Sequence, residues 1–290
     1  MNVQAPAGRM LAPQTMADGI ALHRCDWLPA EATDAVLIVH GLGEHSGRYA
    51  ALAAWLNRQG YAVRAYDQRG HGRSPGRRGS LPRSEALLQD LAAIYADYAN
   101  DLGYAPILLG HSMGGLVAAR CVLDGRIQSP RLVLSSPALR SWEPAWRRAL
   151  AAGLCRLLPG LPLPNGLPMD GLSHDPAVVD AYRDDPLRHG WITPRMADFI
   201  FRAGAACIAD AAKLSMPTLL LIAGADRLVD PSGSRDFVAA APPAILESRT
   251  FPELRHELFN ESEPGRSEVL AILGAWLQRH VLGSYSRATV

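Results

Sequence analysis

The chain has 290 residues, 48% of them hydrophobic and 20% charged, with a formal net charge of +1 at pH 7. That length holds one large α/β domain with an insertion, or two ordinary domains. The apolar share supports a sizeable core, and the near-neutral charge balance speaks against a disordered chain and against a nucleic-acid partner.

Residues 1–11 hold Arg9 but no apolar signal-peptide core, and no later window approaches the roughly 18 apolar residues of a membrane span. A soluble, cytoplasmic protein is expected. Residues 15–22 read as a hairpin at a sheet edge, because the Asp18-Gly19 pair tolerates the positive φ of a tight two-residue turn. Short apolar runs at residues 35–39, 61–66 and 106–109 then alternate with helical spacing over residues 50–57 and 85–102. Unbroken apolar strands alternating with helices predict a parallel sheet covered on both faces.

The rhythm continues through a strand at residues 131–134, breaks, and resumes at residues 217–222 and 244–251, with a last helix over residues 267–280. Residues 137–208 differ in composition: they hold Trp142, Trp146 and Trp191, a proline-rich stretch over residues 159–168, and a helix-like run at residues 145–158. Some seventy residues is far more than joins ordinary α/β elements, so this segment is expected to be a cap inserted into a core of residues 1–136 and 209–290. Cys25, Cys121, Cys155 and Cys207 form no C-x-x-C pair, which predicts buried thiols in a reducing compartment and no zinc knuckle.

Gly110-His111-Ser112-Met113-Gly114 fits G-x-S-x-G and lies between the run ending at Leu109 and a predicted helix. In that context the glycines let strand and helix backbones pass closely while the serine occupies a strained turn with its hydroxyl exposed. A serine hydroxyl near neutral pH needs a histidine to take its proton and a carboxylate to orient the imidazole. In chain order the acid and then the base should follow the serine, each beyond a later strand. Asp226 follows the run ending at Ile222; its rival Asp230 precedes Pro231 and fits a helix N-cap. His256 follows the run ending at Phe251, whereas His280 lies on the last helix and His174 and His189 precede the acid.

Two backbone N–H groups should meet the oxyanion: Met113, directly after the serine, and Leu42 in His40-Gly41-Leu42-Gly43. His40 is read as a residue that orients this loop. Neither residues 67–78, rich in glycine and arginine, nor the glycines at 41, 43 and 47 follow G-x-G-x-x-G or carry a P-loop lysine, and His256-Glu257 lacks the second histidine of H-E-x-x-H, so no cofactor and no metal is expected.

With these residues in place the sequence resembles the monoacylglycerol lipase and lysophospholipase branch of the α/β-hydrolases. The likeness rests on residues 40–49, on residues 66–74, on the turn from Gly110 to Gly115, on Ala225-Asp226-Arg227 and on His256-Glu257. It implies the α/β-hydrolase fold with an inserted helical cap. It also implies hydrolysis of single-chain carboxylic esters through an acyl-enzyme, with Ser112, Asp226 and His256 as triad. The cap would line an acyl tunnel, with Leu154, Leu157 and Leu158 either in its wall or in plain packing. Exposed leucines and tryptophans on it would be able to touch a lipid surface transiently. Glu44 and Arg48 match positions that hold a polar head group in family members acting on monoacylglycerols, or else they pair and brace the loop. Phe259, three residues after His256, stands where those lipases can carry a polar residue, a departure that bears on glycerol recognition. Two other readings stay open: the same triad acting on amides or other bonds, and a non-catalytic scaffold.

Overall fold

The computed structural model describes residues 8–280; residues 1–7, part of the stretch read above for a signal-peptide core, lie outside the described residues, as do residues 281–290. Eight strands form the main sheet: β1 (Arg9–Met10), β2 (Arg24–Trp27), β3 (Asp34–Val39), β4 (Tyr61–Tyr66), β5 (Ile107–His111), β6 (Leu132–Ser135), β7 (Thr218–Ala223) and β8 (Leu246–Phe251). Their order across the sheet is β1-β2-β4-β3-β5-β6-β7-β8. β2 pairs antiparallel with both of its neighbours, β1 and β4, and all the other pairings are parallel.

The apolar runs behave as a doubly covered sheet requires. Alternate residues of one strand enter opposite cores: Leu37 and Val39 join Leu108, Leu134 and Leu220 on one face, whereas Val36 and Ile38 join Leu109, Val133 and Leu221 on the other. The first face is closed by α2 (Ala86–Leu102) and α3 (Met113–Leu123), the second by α1 (Ala50–Arg58) and α8 (Gly265–Arg279). Every residue of α3 is buried, which makes it the central helix.

The hairpin near the start differs from expectation. Gln14–Thr15 pairs with Ala21–Leu22 as a separate two-stranded sheet, closed over a loop longer than two residues, with Gly19 at φ +82°. The edge of the main sheet is β1, whose Arg9 and Met10 pair with Asp26 and Cys25. Two residues are too few to show the alternation by which a strand is recognised.

Between β6 and β7 run α4 (Ala145–Leu157), α5 (Pro176–Asp184), α6 (Pro194–Asp210) and a small antiparallel pair, Leu163–Pro164 with Trp191–Ile192. Their burial is unequal. α4 buries no residue, whereas α6 sends Met196, Phe199, Ala203 and Cys207 into the core beside α3. A Cβ on Gly204 of α6 would lie 2.4 Å from the Leu139 carbonyl oxygen, so glycine is what allows this close approach.

Candidate active site

Ser112 stands between β5 and α3 at φ +54°, a conformation L-residues rarely adopt. The flanking glycines explain how the turn closes. A Cβ on Gly110 would sit 2.5 Å from the Gly114 carbonyl oxygen, and one on Gly114 would sit 2.2 Å from that of Val39. The Ser112 N–H donates to Ser135 O at 3.0 Å, and its carbonyl accepts from Leu116 and Ala138, each at 3.0 Å. Strain of order 1–3 kcal/mol at such a residue is held in place by these surrounding bonds.

Asp226 and His256, expected from the sequence as acid and base, lie on the loops after β7 and β8. His256 Nδ1 and Asp226 Oδ2 are 2.6 Å apart, with both side chains almost wholly buried. A carboxylate only accepts, so Nδ1 carries the proton and Nε2 keeps its lone pair. Asp226 Oδ1 meanwhile accepts from the N–H groups of Leu228 at 2.8 Å and Val229 at 2.9 Å, which fixes its plane. Burial alone would depress the His256 imidazolium, but the charge and hydrogen bond of Asp226, with Glu257 and Glu44 behind, outweigh it and raise its pKa above the ordinary value. Asp230 is spent elsewhere: its carboxylate caps α7 (Pro231–Ala240) by accepting from Ser232 N at 2.9 Å.

The loop after β3 reaches the serine from the other side. A Cβ on Gly41 would come within 3.1 Å of Ser112 Cβ. Among the described residues no hydrogen-bond acceptor takes the Leu42 N–H. The Met113 N–H opens α3, where a helix leaves its first amides without an internal partner. His40 braces this loop: Nδ1 bonds its neighbour's carbonyl, Gly41 O, at 2.7 Å, and Nε2 accepts from Gln68 N at 2.9 Å.

Glu44 and Arg48 pair with each other, and Arg48 also pairs with Glu257. Arg48 Nη1 donates to Glu44 Oε2 at 2.9 Å, and its two amino groups grip Glu257 at 2.5 and 2.8 Å. Burial would raise the Glu44 carboxyl, but Arg48 and other neighbours lower it to about 2. Phe259 packs in the core with Leu258 and is absent from the walls of the cavity that holds Ser112.

Three contributors escaped the motif reading. The His111 ring lies 4.7 Å from that of His256; burial, and then the nearness of His256, lower its pKa to about 4, so it stays neutral. Its position inside the five-residue turn was the available signal. Glu257 adjoins the base, but its grip on Arg48 spans 209 positions. Tyr182 of α5, whose ring sits under the Arg48 guanidinium at 4.8 Å, left no local signal.

Two cavities meet at Ser112. One, about 390 Å³, is lined by Leu139, Trp142, Ile200, Phe201 and Ile208, with Arg140, Glu143, Arg148 and Arg227 also in its wall. The other, about 30 Å³, carries Glu44, Arg48, His256 and Glu257 in its wall. Leu42, Ser112, Leu167, Pro168 and Leu228 belong to both.

This sheet order, with a serine on the tight turn after the fifth strand, makes the chain a serine hydrolase of the α/β-hydrolase class. Residues 30–263 match the family described as serine aminopeptidase, S33, and the chain belongs to that family. It is 34% identical to the monoacylglycerol lipase of Mycolicibacterium smegmatis, over 88% of this chain and 92% of that one. To the monoglyceride lipase of Homo sapiens it is 32% identical, over 91% and 88% of the two chains. The crystal structure of the Paleococcus ferrophilus monoacylglycerol lipase superposes with a TM-score of 0.82 at 36% identity, covering 89% of this chain and 99% of that one.

Proposed function

We propose that this chain hydrolyses carboxylic esters with one acyl chain, monoacylglycerols foremost, through an acyl-enzyme on Ser112. The observation that carries this reading is the meeting at a single serine of a cavity of about 390 Å³ holding Leu139, Ile200, Phe201 and Ile208 with a recess of about 30 Å³ holding Glu44, Arg48 and Glu257. The first has room for an acyl chain, and the charged groups of the second face the polar end of the ester. Ser112 Oγ passes its proton to His256 Nε2 as it attacks the ester carbonyl, and Asp226 holds the imidazole and stabilises its cation. The Leu42 and Met113 amides receive the oxyanion, each worth about 3–4 kcal/mol in the transition state. His256 then protonates the leaving alcohol, and water repeats the sequence to release the acid.

In this reading residues 137–208 are a helical cap over a core of residues 1–136 and 209–290, with α6 as its seat and α4 as its outer face. Glu44 and Arg48 brace the polar wall beside the alcohol. Trp146 and Leu157 on α4 are 62% and 79% exposed, with Arg147 and Arg156 to either side; such a face suits transient contact with an anionic lipid surface. The thiols of Cys25, Cys121 and Cys207 are buried and Cys155 on α4, expected buried, is only half-buried; all four are free, which fits a reducing, cytoplasmic setting.

Amide hydrolysis by an aminopeptidase would call for a free carboxylate to receive the substrate ammonium. Glu44 and Glu257, which line the polar cavity, are both held by Arg48. A panel of monoacylglycerols and p-nitrophenyl esters of graded length, set beside aminoacyl amides, tests the proposal. Esters should be preferred and Ser112→Ala should abolish turnover; faster cleavage of the amides, or undiminished activity in that variant, refutes it.

A further inference from the structure

Glu261 is a carboxylate buried to 1% exposure in the loop that carries His256. Its Oε1 accepts from Arg255 N at 2.6 Å and His174 Nδ1 at 3.0 Å. Its Oε2 accepts from His174 N and Ser262 N, each at 3.0 Å, and from the Ser173 hydroxyl at 3.4 Å. Donors on both oxygens suit a group that only accepts; an amide in its place would turn an NH₂ toward some of them. Burial pushes the carboxyl up, and the surrounding N–H groups more than reverse that, so the side chain is charged.

The donors come from two parts of the chain. Arg255 and Ser262 belong to the base loop, whereas Ser173 and His174 follow the short turn Met169–Gly171 in the segment between β6 and β7. That segment continues along the loop: Glu257 N donates to Leu172 O at 2.8 Å, and the Arg255 guanidinium donates to Asp170 O at 2.7 Å and Ser173 O at 2.9 Å. Its other side meets the acid loop. Arg227, next to Asp226, bonds the Asp170 carboxylate at 2.6 Å, and a Cβ on Gly171 would lie 2.6 Å from Leu228 Cδ1. Residues 169–174 are thus a strap laid across both loops.

We propose that Glu261 is a positioning residue, which fastens this strap to the base loop so that the His256 imidazole stays aligned with Asp226 and Ser112. Docking of the segment above the site and alignment of the base are then one event. The inference rests on His256 being the general base. Around that imidazole stand Asp226, Glu257, Glu44 and His111, and Glu261 acts on it through the loop.

The test uses the full chain with Glu261→Ala and Glu261→Gln, and Ser112→Ala as the separate check on the hydrolase reading. Measurements are kcat and KM against pH on a medium-chain p-nitrophenyl ester, and the far-downfield proton resonance of the His256 Nδ1–H···Asp226 bond. In Glu261→Ala, kcat should fall about 10- to 100-fold with KM within about twofold, as a displaced catalytic group costs. The acid limb of the profile should move down toward the ordinary histidine value, and the downfield proton should be lost to exchange. Glu261→Gln, which keeps the side-chain volume should the alanine variant not fold, should show the same changes in smaller degree. Unchanged kcat in a folded variant overturns the proposal. So does a lower kcat with the acid limb and the downfield proton left in place, since a merely structural role would give that result. Undiminished turnover in Ser112→Ala would instead overturn the hydrolase reading, and the proton resonance would still report on Glu261.

Discussion

The Arg48 guanidinium holds the Glu257 carboxylate in a two-pronged grip, with bonds of 2.5 and 2.8 Å, and its Nη1 also reaches Glu44 at 2.9 Å. Glu44 in turn accepts from the Gly41 N–H at 2.5 Å and the Tyr49 hydroxyl at 2.8 Å. One cation therefore ties the loop bearing Leu42 to the loop bearing His256. Arg48→Met removes that cation and leaves two buried carboxylates facing each other. Breaking a buried pair in this way costs about 3–5 kcal/mol. The urea midpoint should fall accordingly; a variant as stable as the parent would show that the pair carries no such burden.

The same pair sets a dependence of stability on acid. Glu44 has its folded value lowered from 4.5 to about 2, so it binds protons more readily when unfolded. Its contribution is complete above the unfolded value near 4.5 and is lost as pH falls toward about 2. Urea titrations at pH 6, 4.5 and 3 should show a declining midpoint, with a shallower decline in Arg48→Met. Equal slopes in the two proteins would remove Glu44 as the source.

His256 makes a prediction for activity. Its imidazolium is favoured by Asp226, Glu257 and Glu44 over the cost of burial, and only the neutral ring accepts the serine proton. The kcat/KM profile should therefore rise with pH through a limb above 6.5, the ordinary histidine value. His111, lowered to about 4, adds no second limb in the neutral range. A limb at or below 6 would place the titration on another group.

What the sequence made legible was what short stretches of chain decide. The strand-turn-helix around Ser112 is local, and so is the capping geometry at Asp230-Pro231, which is why Asp226 could be preferred as the partner of His256. The two buried faces of the sheet followed from unbroken apolar runs such as residues 35–39. What stayed hidden depends on residues far apart: Tyr182 beneath Arg48, and the Glu261 carboxylate reaching back 87 positions to His174. No periodicity marks such contacts, because one side chain at each end is enough to make them. The edge strand β1 was missed for another reason, being too short to carry a pattern.

Two aspartates four positions apart should separate cleanly by mutation. Asp226→Asn keeps the shape but can leave the imidazole in the wrong tautomer, and kcat should fall by about 10⁴ with little change in stability. Asp230→Asn keeps an oxygen for the Ser232 N–H, whereas Asp230→Ala removes the cap of α7 and should cost about 0.5–2 kcal/mol. Neither change at 230 should move kcat more than about twofold. Thermal melts and initial rates on the three variants decide the matter, and a loss of turnover confined to position 230 would reverse the assignment of the acid.

The outer face of α4 carries the last prediction. α4 fully buries none of its 13 residues, but Ala151, Ala152, Leu154 and Cys155 are half-buried on the side that meets α6, the one stripe a helix packed on a protein normally hides. On the other side Trp146 and Leu157 stay open, flanked by Arg147 and Arg156, whereas Arg148 lines the larger cavity at Ser112. Placing each apolar side chain in a lipid interface gains about 1.5–3 kcal/mol, and each arginine near an anionic surface adds about 1 kcal/mol. The protein should therefore partition onto phosphatidylserine-containing vesicles more strongly than onto neutral ones. Trp146→Ala with Leu157→Ala should weaken that partitioning at least about tenfold, since 1.4 kcal/mol is one decade. Neither residue lines the cavities at Ser112, so kcat/KM on a short, soluble ester should stay unchanged. Sedimentation with vesicles of both compositions measures the first effect. Equal sedimentation of parent and variant would mean that this face serves some purpose other than holding the enzyme at a lipid surface.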